Sequence, residues 1–217
     1  MSILLAIYSH EHDIERRQIM RSDMLFSLEL SLFLDYRFVI CSDQWKESLI
    51  TREQDYFNDI FTMKKNNCGF FDFLKSYNDA QNYRWILKSD SNTFINIKNL
   101  EFLLKLQNGY FGIKRNLETP LYPIRGLYGL SSDIIQWIIT SNLTYSDITN
   151  SISGENANNY RIYVYSPIRG TIIHKNRFNT TRNIIAIHGI KTNMEFAKTA
   201  SYFSNSSRSH ETLYKLI

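Results

Sequence analysis

Short apolar runs alternate with longer amphipathic stretches along the first hundred residues. Runs with the length of a buried strand predict four strands, at residues 3–8, 37–41, 59–63 and 83–87. Apolar residues at helical spacing predict four helices, at residues 12–34, 44–57, 70–82 and 97–106. The chain therefore begins as a regular succession of strands and helices.

The pattern is less regular after Gly109. Further strands are expected at residues 110–114, 121–130, 161–165 and 184–187, and further helices at residues 133–141 and 193–203. The segment 142–159 is polar and rich in turn-forming residues, which is typical of a loop.

The alternation predicts an α/β fold in which helices cover both faces of a mostly parallel sheet. Neither a repeat nor a linker-like segment divides the chain, so we expect residues 1–217 to form a single domain. Ligands of such sheets bind beyond the carboxyl ends of the strands. The loops 9–11, 42–44 and 88–92 are therefore expected on the binding side.

Composition narrows the class of protein. The chain of 217 residues is 43% hydrophobic and 21% charged, which excludes disordered, collagen-like and coiled-coil proteins. No run reaches the roughly 20 apolar residues of a membrane span, and residues 1–8 lack the basic region of a signal peptide. Cys41 and Cys68 permit one disulfide at most, and no local cysteine or histidine motif for zinc occurs.

Charge is unevenly distributed. The net charge is +4, but residues 161–217 contain nine lysines and arginines against only Glu195 and Glu211. This basic C-terminal quarter indicates an anionic ligand at one side of the protein, and a solvated basic face explains it equally well. The basic residues lack the aromatic interleaving of a nucleic-acid module, so nucleic acid is not an expected partner.

The polar cluster after the strand at 83–87 is the strongest local candidate for a site. It contains Lys88, Asp90 and Asn92. A carboxylate and an amide oxygen at a strand end can hold a divalent cation that bridges the diphosphate of a nucleotide donor. The alternative is an ordinary polar turn, in which aspartate and asparagine are common.

Other candidates carry weaker signals. Arg17 and Arg21 are four residues apart and share one helix face, so they can bind phosphate or pair with neighbouring acids such as Glu15. Glu155, beside Asn156 in a polar turn, can act as a general base or simply belong to the turn. His188, at the end of a strand, can ligate a metal or form a local hydrogen bond.

Five segments follow one another in an order that is more specific than any single motif. They are residues 16–24, similar to R-R-x-A-I-R-x-T-W; residues 53–60, similar to E-x-x-x-Y-x-D-I; residues 85–96, similar to a strand plus K-x-D-D-D-x-F-x-N; residues 122–133, similar to Y-P…G-x-Y-x-L-S-x-D; and residues 154–157, in the place of E-D-V. In this order the chain resembles the β-1,3-galactosyltransferase family, with its N-acetylglucosaminyltransferase and Fringe-like relatives.

The resemblance implies a GT-A-like, Rossmann-type fold and an inverting hexosyltransferase. Such an enzyme moves a sugar from a UDP donor to a glycan or glycoprotein hydroxyl, with Mn²⁺ as cofactor and the Golgi lumen as the usual compartment. It also implies roles for individual residues. Donor-binding residues would be Ser9, Arg17, Arg21, Lys88 and Asp90; metal ligands would be Asp90, Asn92 and His188; and catalytic residues would be Glu155 and Asn156.

Departures from the family pattern leave a second hypothesis open. The acidic triplet has become Asp90-Ser91-Asn92, so only one of its three carboxylates remains. Asn156 stands where the general base is expected, although an amide does not titrate near neutral pH. The alternative to an active enzyme is a non-catalytic glycan- or nucleotide-binding relative on the same fold.

Overall fold

The computed structural model describes residues 2–25, 33–43, 49–104, 110–111, 126–141, 164–165, 172–174 and 185–204. Within these residues the strands are β1 (Ile3–Ser9), β2 (Leu34–Cys41), β3 (Ile60–Met63), β4 (Trp85–Asp90), β5 (Thr93–Ile95), β6 (Tyr110–Phe111), β7 (Leu127–Ser131), β8 (Val164–Tyr165), β9 (Ile172–His174) and β10 (Ala186–His188). The helices are α1 (Ile14–Ile19), α2 (Leu49–Phe57), α3 (Phe70–Ser76), α4 (Ile97–Leu104), α5 (Ser132–Thr140) and α6 (Asn193–Ser204).

The central sheet is mostly parallel, as the alternation of elements predicts. Its strand order is β3-β2-β1-β4-β7-β6-β8, and β3, β2, β1 and β4 pair in parallel. β7 runs antiparallel to both of its neighbours. A second sheet of three strands, in the order β5-β10-β9, was not predicted from the sequence.

Both faces of the central sheet are buried. Successive residues of β1 point to opposite sides of the sheet, and they belong to two different apolar clusters. Leu5 and Ile7 belong to one apolar cluster, which includes residues of α1's π-helical continuation Met20–Leu25, of α2, of α4 and of α6. Leu4 and Ala6 belong to the other, which contains the apolar residues of α3 and α5. Helices on both faces explain why the central strands appear as continuous apolar runs in the sequence.

Several predicted boundaries are wrong. β2 begins at Leu34, three residues earlier than predicted. α1 changes to a π-helix at Met20. α3 ends at Ser76, and a separate 3-10 turn follows at Ala80–Asn82. β4 continues to Asp90 instead of ending at Leu87, because its polar end still pairs with β1, with Asp90 opposite Tyr8. The predicted loop 142–159 lies outside the described residues, and no described helix is long and apolar enough to cross a membrane.

A disulfide joins Cys41, at the end of β2, to Cys68, just before α3. The two cysteines are 27 residues apart in the sequence. The bond therefore connects the carboxyl edge of the sheet to the helix layer on one face. A cross-link of this kind stabilises the fold mainly by restricting the unfolded chain.

Removal of this disulfide should lower the free energy of unfolding by about 3–4 kcal/mol, as loop-closure entropy predicts for a loop of this length. The measurement is urea unfolding of the oxidised protein with and without a reductant. Cys41→Ala/Cys68→Ala serves as a control, since the reductant should not change its unfolding midpoint. Identical midpoints for the oxidised and reduced wild-type protein would contradict the prediction.

Candidate functional site

A cavity of about 750 Å³ lies beyond the carboxyl end of β4. The three predicted metal-ligating residues, Asp90, Asn92 and His188, all line it. Its other walls come from the start of α1 and from the segment between β10 and α6. The volume is within the range of pockets that hold small-molecule ligands.

Backbone pairing explains why residues nearly a hundred positions apart meet at this cavity. β5 follows β4 after a two-residue turn and pairs with β10, so that Thr93 lies opposite His188. Beyond this pair, the Ile190 N–H donates to the carbonyl of Asn92 at 3.0 Å. The sequence alone could not show this pairing, because both strands are only three residues long.

Gly126 packs directly against His188. Its φ is +123°, a conformation that residues with a side chain rarely adopt, and a Cβ added there would lie 3.1 Å from the His188 Cβ. Glycine therefore gives the imidazole room beside β7. This contact joins the segment 122–133, which the resemblance singled out, to the candidate site.

The three loops predicted on the binding side do lie together. The Ser42 hydroxyl donates to the Glu11 carboxylate at 2.8 Å, which holds the pKa of Glu11 below its usual range. The Ser91 N–H donates to the Tyr8 carbonyl at 2.9 Å. The loops after β1, β2 and β4 are thus connected by hydrogen bonds at one edge of the sheet.

Arg16 also lines the cavity, although the sequence analysis did not select it. Its guanidinium donates to the Asn193 side chain at 2.7 Å and to the carbonyls of Ser91 and Lys191 at 3.2 and 3.3 Å. The side chain packs over the ring of Phe196, and no carboxylate among the described residues forms an ion pair with it. Burial lowers the pKa of Arg16, and the charges of Asp13 and two glutamates partly offset this effect.

Asp90 is already paired with a protein cation. Its carboxylate accepts a hydrogen bond from the ammonium group of Lys88, two residues earlier on the same face of β4. The Lys88 ammonium also lies 5.1 Å from the centre of the Tyr8 ring. The predicted donor-binding residues Lys88 and Asp90 therefore form one unit in the structure.

The remaining donor set fits a divalent cation poorly. Hard cations prefer several charged oxygens, whereas Asn92 offers a neutral amide, His188 an imidazole and Asp90 a carboxylate shared with Lys88. Within the described part of the chain, no group of three or more histidine, cysteine, aspartate or glutamate residues is placed to hold a metal ion. The Mn²⁺ ion implied by the resemblance stays a prediction.

Arg17 and Arg21 point away from this cavity, into a buried network of charges. The Arg17 guanidinium donates to both carboxylate oxygens of Glu53, at 2.9 and 2.6 Å. Arg21 donates to both oxygens of Asp59, at 2.7 and 2.8 Å, and pairs with Glu53 at 2.8 Å. The pairing with a neighbouring acid such as Glu15, which the helical spacing suggested, is wrong. The actual partners, Glu53 and Asp59, lie 36 and 38 residues further along the chain.

The same network supports the loop after β1. Arg17 donates to the Ser9 hydroxyl at 3.0 Å and to the His10 carbonyl at 2.6 Å. Two of the predicted donor-binding residues, Ser9 and Arg17, are therefore in direct contact with each other. The contacts of Ser9, Arg17 and Arg21 with a donor stay a prediction.

The predicted catalytic residues, Glu155 and Asn156, lie outside the described residues. Their roles therefore stay predictions from the resemblance.

Comparison with known proteins shows the fold. No protein-family profile matches the chain, and no curated protein does. A cytidylyltransferase from Leptospira borgpetersenii superposes with a TM-score of 0.50 at 13% identity, over 100% of this chain and 94% of the other. This likeness and the sheet topology confirm the predicted GT-A-like α/β fold.

Solved glycosyltransferases are similar at a lower level. A mannosyltransferase from Pyrobaculum calidifontis, solved with GDP-Man and Mn²⁺, has a TM-score of 0.48 at 8% identity, over 96% of this chain and 65% of the other. GlyE from Streptococcus pneumoniae has a TM-score of 0.48 at 10% identity, over 94% of this chain and 60% of the other. The chain thus spans less than two thirds of either protein, and the β-1,3-galactosyltransferase family itself stays a hypothesis.

The buried network generates a prediction about stability. Glu53→Ala should lower the free energy of unfolding by about 3–5 kcal/mol, because it leaves two buried guanidinium groups without their shared carboxylate. Urea unfolding at pH 7 provides the measurement. Asp55→Ala, on the same helix, is the control and should cost less than about 1 kcal/mol; equal losses for the two variants would contradict the structural role.

Stability should also depend on pH through Glu53. Burial raises the pKa of this carboxyl, but hydrogen bonds from Arg17 and Arg21 outweigh it and hold the pKa below its usual range. The network therefore contributes fully above the ordinary glutamate pKa of about 4.3 and is lost as the pH falls below it. Unfolding midpoints at pH 7 and pH 3.5 should differ less for Glu53→Gln than for the wild-type protein.

Proposed function

We propose that the protein is a glycosyltransferase that moves a sugar from a UDP donor to a hydroxyl group of a glycan or glycoprotein, with inversion at the anomeric carbon. The observation that carries this proposal is the convergence of Asp90, Asn92, His188 and Arg16 on one cavity beyond the strand ends of a GT-A-like sheet. Polar and cationic groups at that edge are suited to a nucleotide donor.

Positive groups at the cavity match the charge that develops during the reaction. As the bond between the anomeric carbon and the diphosphate breaks, negative charge builds on the departing oxygen. Arg16 and Lys191 both line the cavity and would stabilise this charge more strongly in a partly enclosed site than in water. The donor-binding roles that the resemblance implies for Ser9, Arg17 and Arg21 would then be indirect, since Arg17 holds the loop after β1 through Ser9. Lys88 would act through its partner Asp90, which lines the cavity.

The acceptor step needs a group that takes a proton. In an inverting transfer, the acceptor oxygen bonds to the anomeric carbon while its proton passes to a carboxylate. We assign this base to Glu155, because the neighbouring Asn156 has a side-chain amide that cannot take the proton near neutral pH. Asn156 would then orient the acceptor through hydrogen bonds.

Nucleotide selectivity tests the proposal most directly. Calorimetric titration of the protein with UDP, GDP and CDP should show binding of UDP at least about tenfold tighter than that of the other two. Incubation with UDP-sugars and a panel of glycan acceptors should release UDP. Absence of UDP binding would reject the proposal, whereas tight UDP binding without turnover on any acceptor would favour a non-catalytic binding protein.

Glu155→Gln should lower kcat for sugar transfer by a factor of about 10²–10⁴, the usual contribution of a general base. The affinity for UDP should change little, because the proposed base faces the acceptor. Asn156→Ala is the matched control and should lower kcat by a smaller factor. The assignment would be wrong if Asn156→Ala were the more damaging variant or if Glu155→Gln kept full activity.

A further inference from the structure

We propose that the cavity binds the donor diphosphate without a divalent cation, and that protein cations take the place of the metal. This inference rests on the proposed function and concerns the same cavity. It follows from a disagreement between the Mn²⁺ that the resemblance implies and the residues that the structure brings together. Three observations on those residues support it.

First, the sole carboxylate of the altered acidic motif is already neutralised. The Lys88 ammonium pairs with Asp90, and both side chains are partly shielded, with 20% and 30% of their surfaces exposed. Lys88 is held there by its contacts with the rings of Tyr8 and Tyr128, at 5.1 and 5.9 Å. A divalent cation on Asp90 would lie close to this ammonium group and be repelled by it.

Second, Arg16 brings a buried positive charge to the cavity. The residue is only 7% exposed, and its hydrogen-bond acceptors are neutral oxygens, one amide and three carbonyls. These dipoles solvate the guanidinium without cancelling its charge. An anion in the adjoining cavity would add a direct ionic partner to the more distant charges of Asp13 and two glutamates that already act on Arg16.

Third, Lys191 adds a positive group on a fixed backbone. Its N–H donates to the Glu195 carboxylate at 3.1 Å, and its carbonyl accepts from Arg16 at 3.3 Å. The side chain is exposed and lines the cavity. Asp13 and Asp90 are the acids that line the cavity, and Arg16 and Lys191 are the cations. Because Lys88 neutralises Asp90, positive charge is in excess around the cavity.

The experiment is a calorimetric titration of UDP into the protein in EDTA and, separately, in excess Mn²⁺. The Kd should agree within about twofold between the two conditions. A parallel titration of the nucleotide-free protein with Mn²⁺ alone, followed by electron paramagnetic resonance, should show no tightly bound ion. Both readouts are independent of sugar transfer.

Variants test which charges replace the metal. In EDTA, Lys191→Gln should weaken UDP binding by about threefold or more, the effect of one partly exposed charge. Lys198→Gln, which removes an exposed lysine of α6 that does not line the cavity, should change the Kd by less than twofold. Asp90→Asn should tighten UDP binding by about two- to fivefold, because it removes a negative charge and leaves Lys88 to face the diphosphate.

The outcomes separate this inference from the function on which it rests. UDP binding that requires Mn²⁺ and disappears in Asp90→Asn would overturn the metal-free site while leaving a UDP-dependent enzyme. Absence of UDP binding in both conditions would reject the proposed function itself. Equal weakening by Lys191→Gln and Lys198→Gln would show a general charge effect and would also overturn the assignment of Lys191.

Discussion

The four-membered network of Arg17, Glu53, Arg21 and Asp59 is the constraint on which the candidate site depends. It joins α1 to α2 and to the residue before β3, and all four side chains are buried. Paired charges of this kind tolerate no missing member, because the remaining charge would be buried alone. The network also explains two segments of the family resemblance, since its arginines come from one segment and its acids from the next.

Arginines near the start of the first helix have two different roles. Arg17 and Arg21 share one helix face and point into the protein, where Arg17 also holds the loop after β1 through Ser9. Arg16 is rotated by about 100° from Arg17 and reaches the cavity. Buried ion pairs thus fix the orientation of the helix, and this orientation places the Arg16 side chain at the cavity.

The sequence was sufficient for the mostly parallel central sheet, but not for the second sheet or for all of the site. β1 and β4 were predictable because sheet burial on both faces makes them continuous apolar runs. Asp90, Asn92 and His188, which only the resemblance connected, line the same cavity, and their role as metal ligands stays a prediction. Arg16 was missed because helical spacing draws attention to Arg17 and Arg21, whose true partners lie 36 and 38 residues away. The short pairing of β5 with β10 carries no periodic signal.

Hydrogen bonds within the protein connect the walls of the cavity. Arg16 ties the turn after β4 to the segment before α6, and Glu195 accepts the N–H groups of Lys191 and Thr192 while its own N–H donates to the Thr192 hydroxyl. These reciprocal bonds form a capping box at the start of α6. In a site whose residues are scattered over flexible loops, a metal would have to gather them. Here protein hydrogen bonds already do so. In the metal-free site that we propose, the positive charge next to the ligand would come from Arg16 and Lys191, while Lys88 stays paired with Asp90.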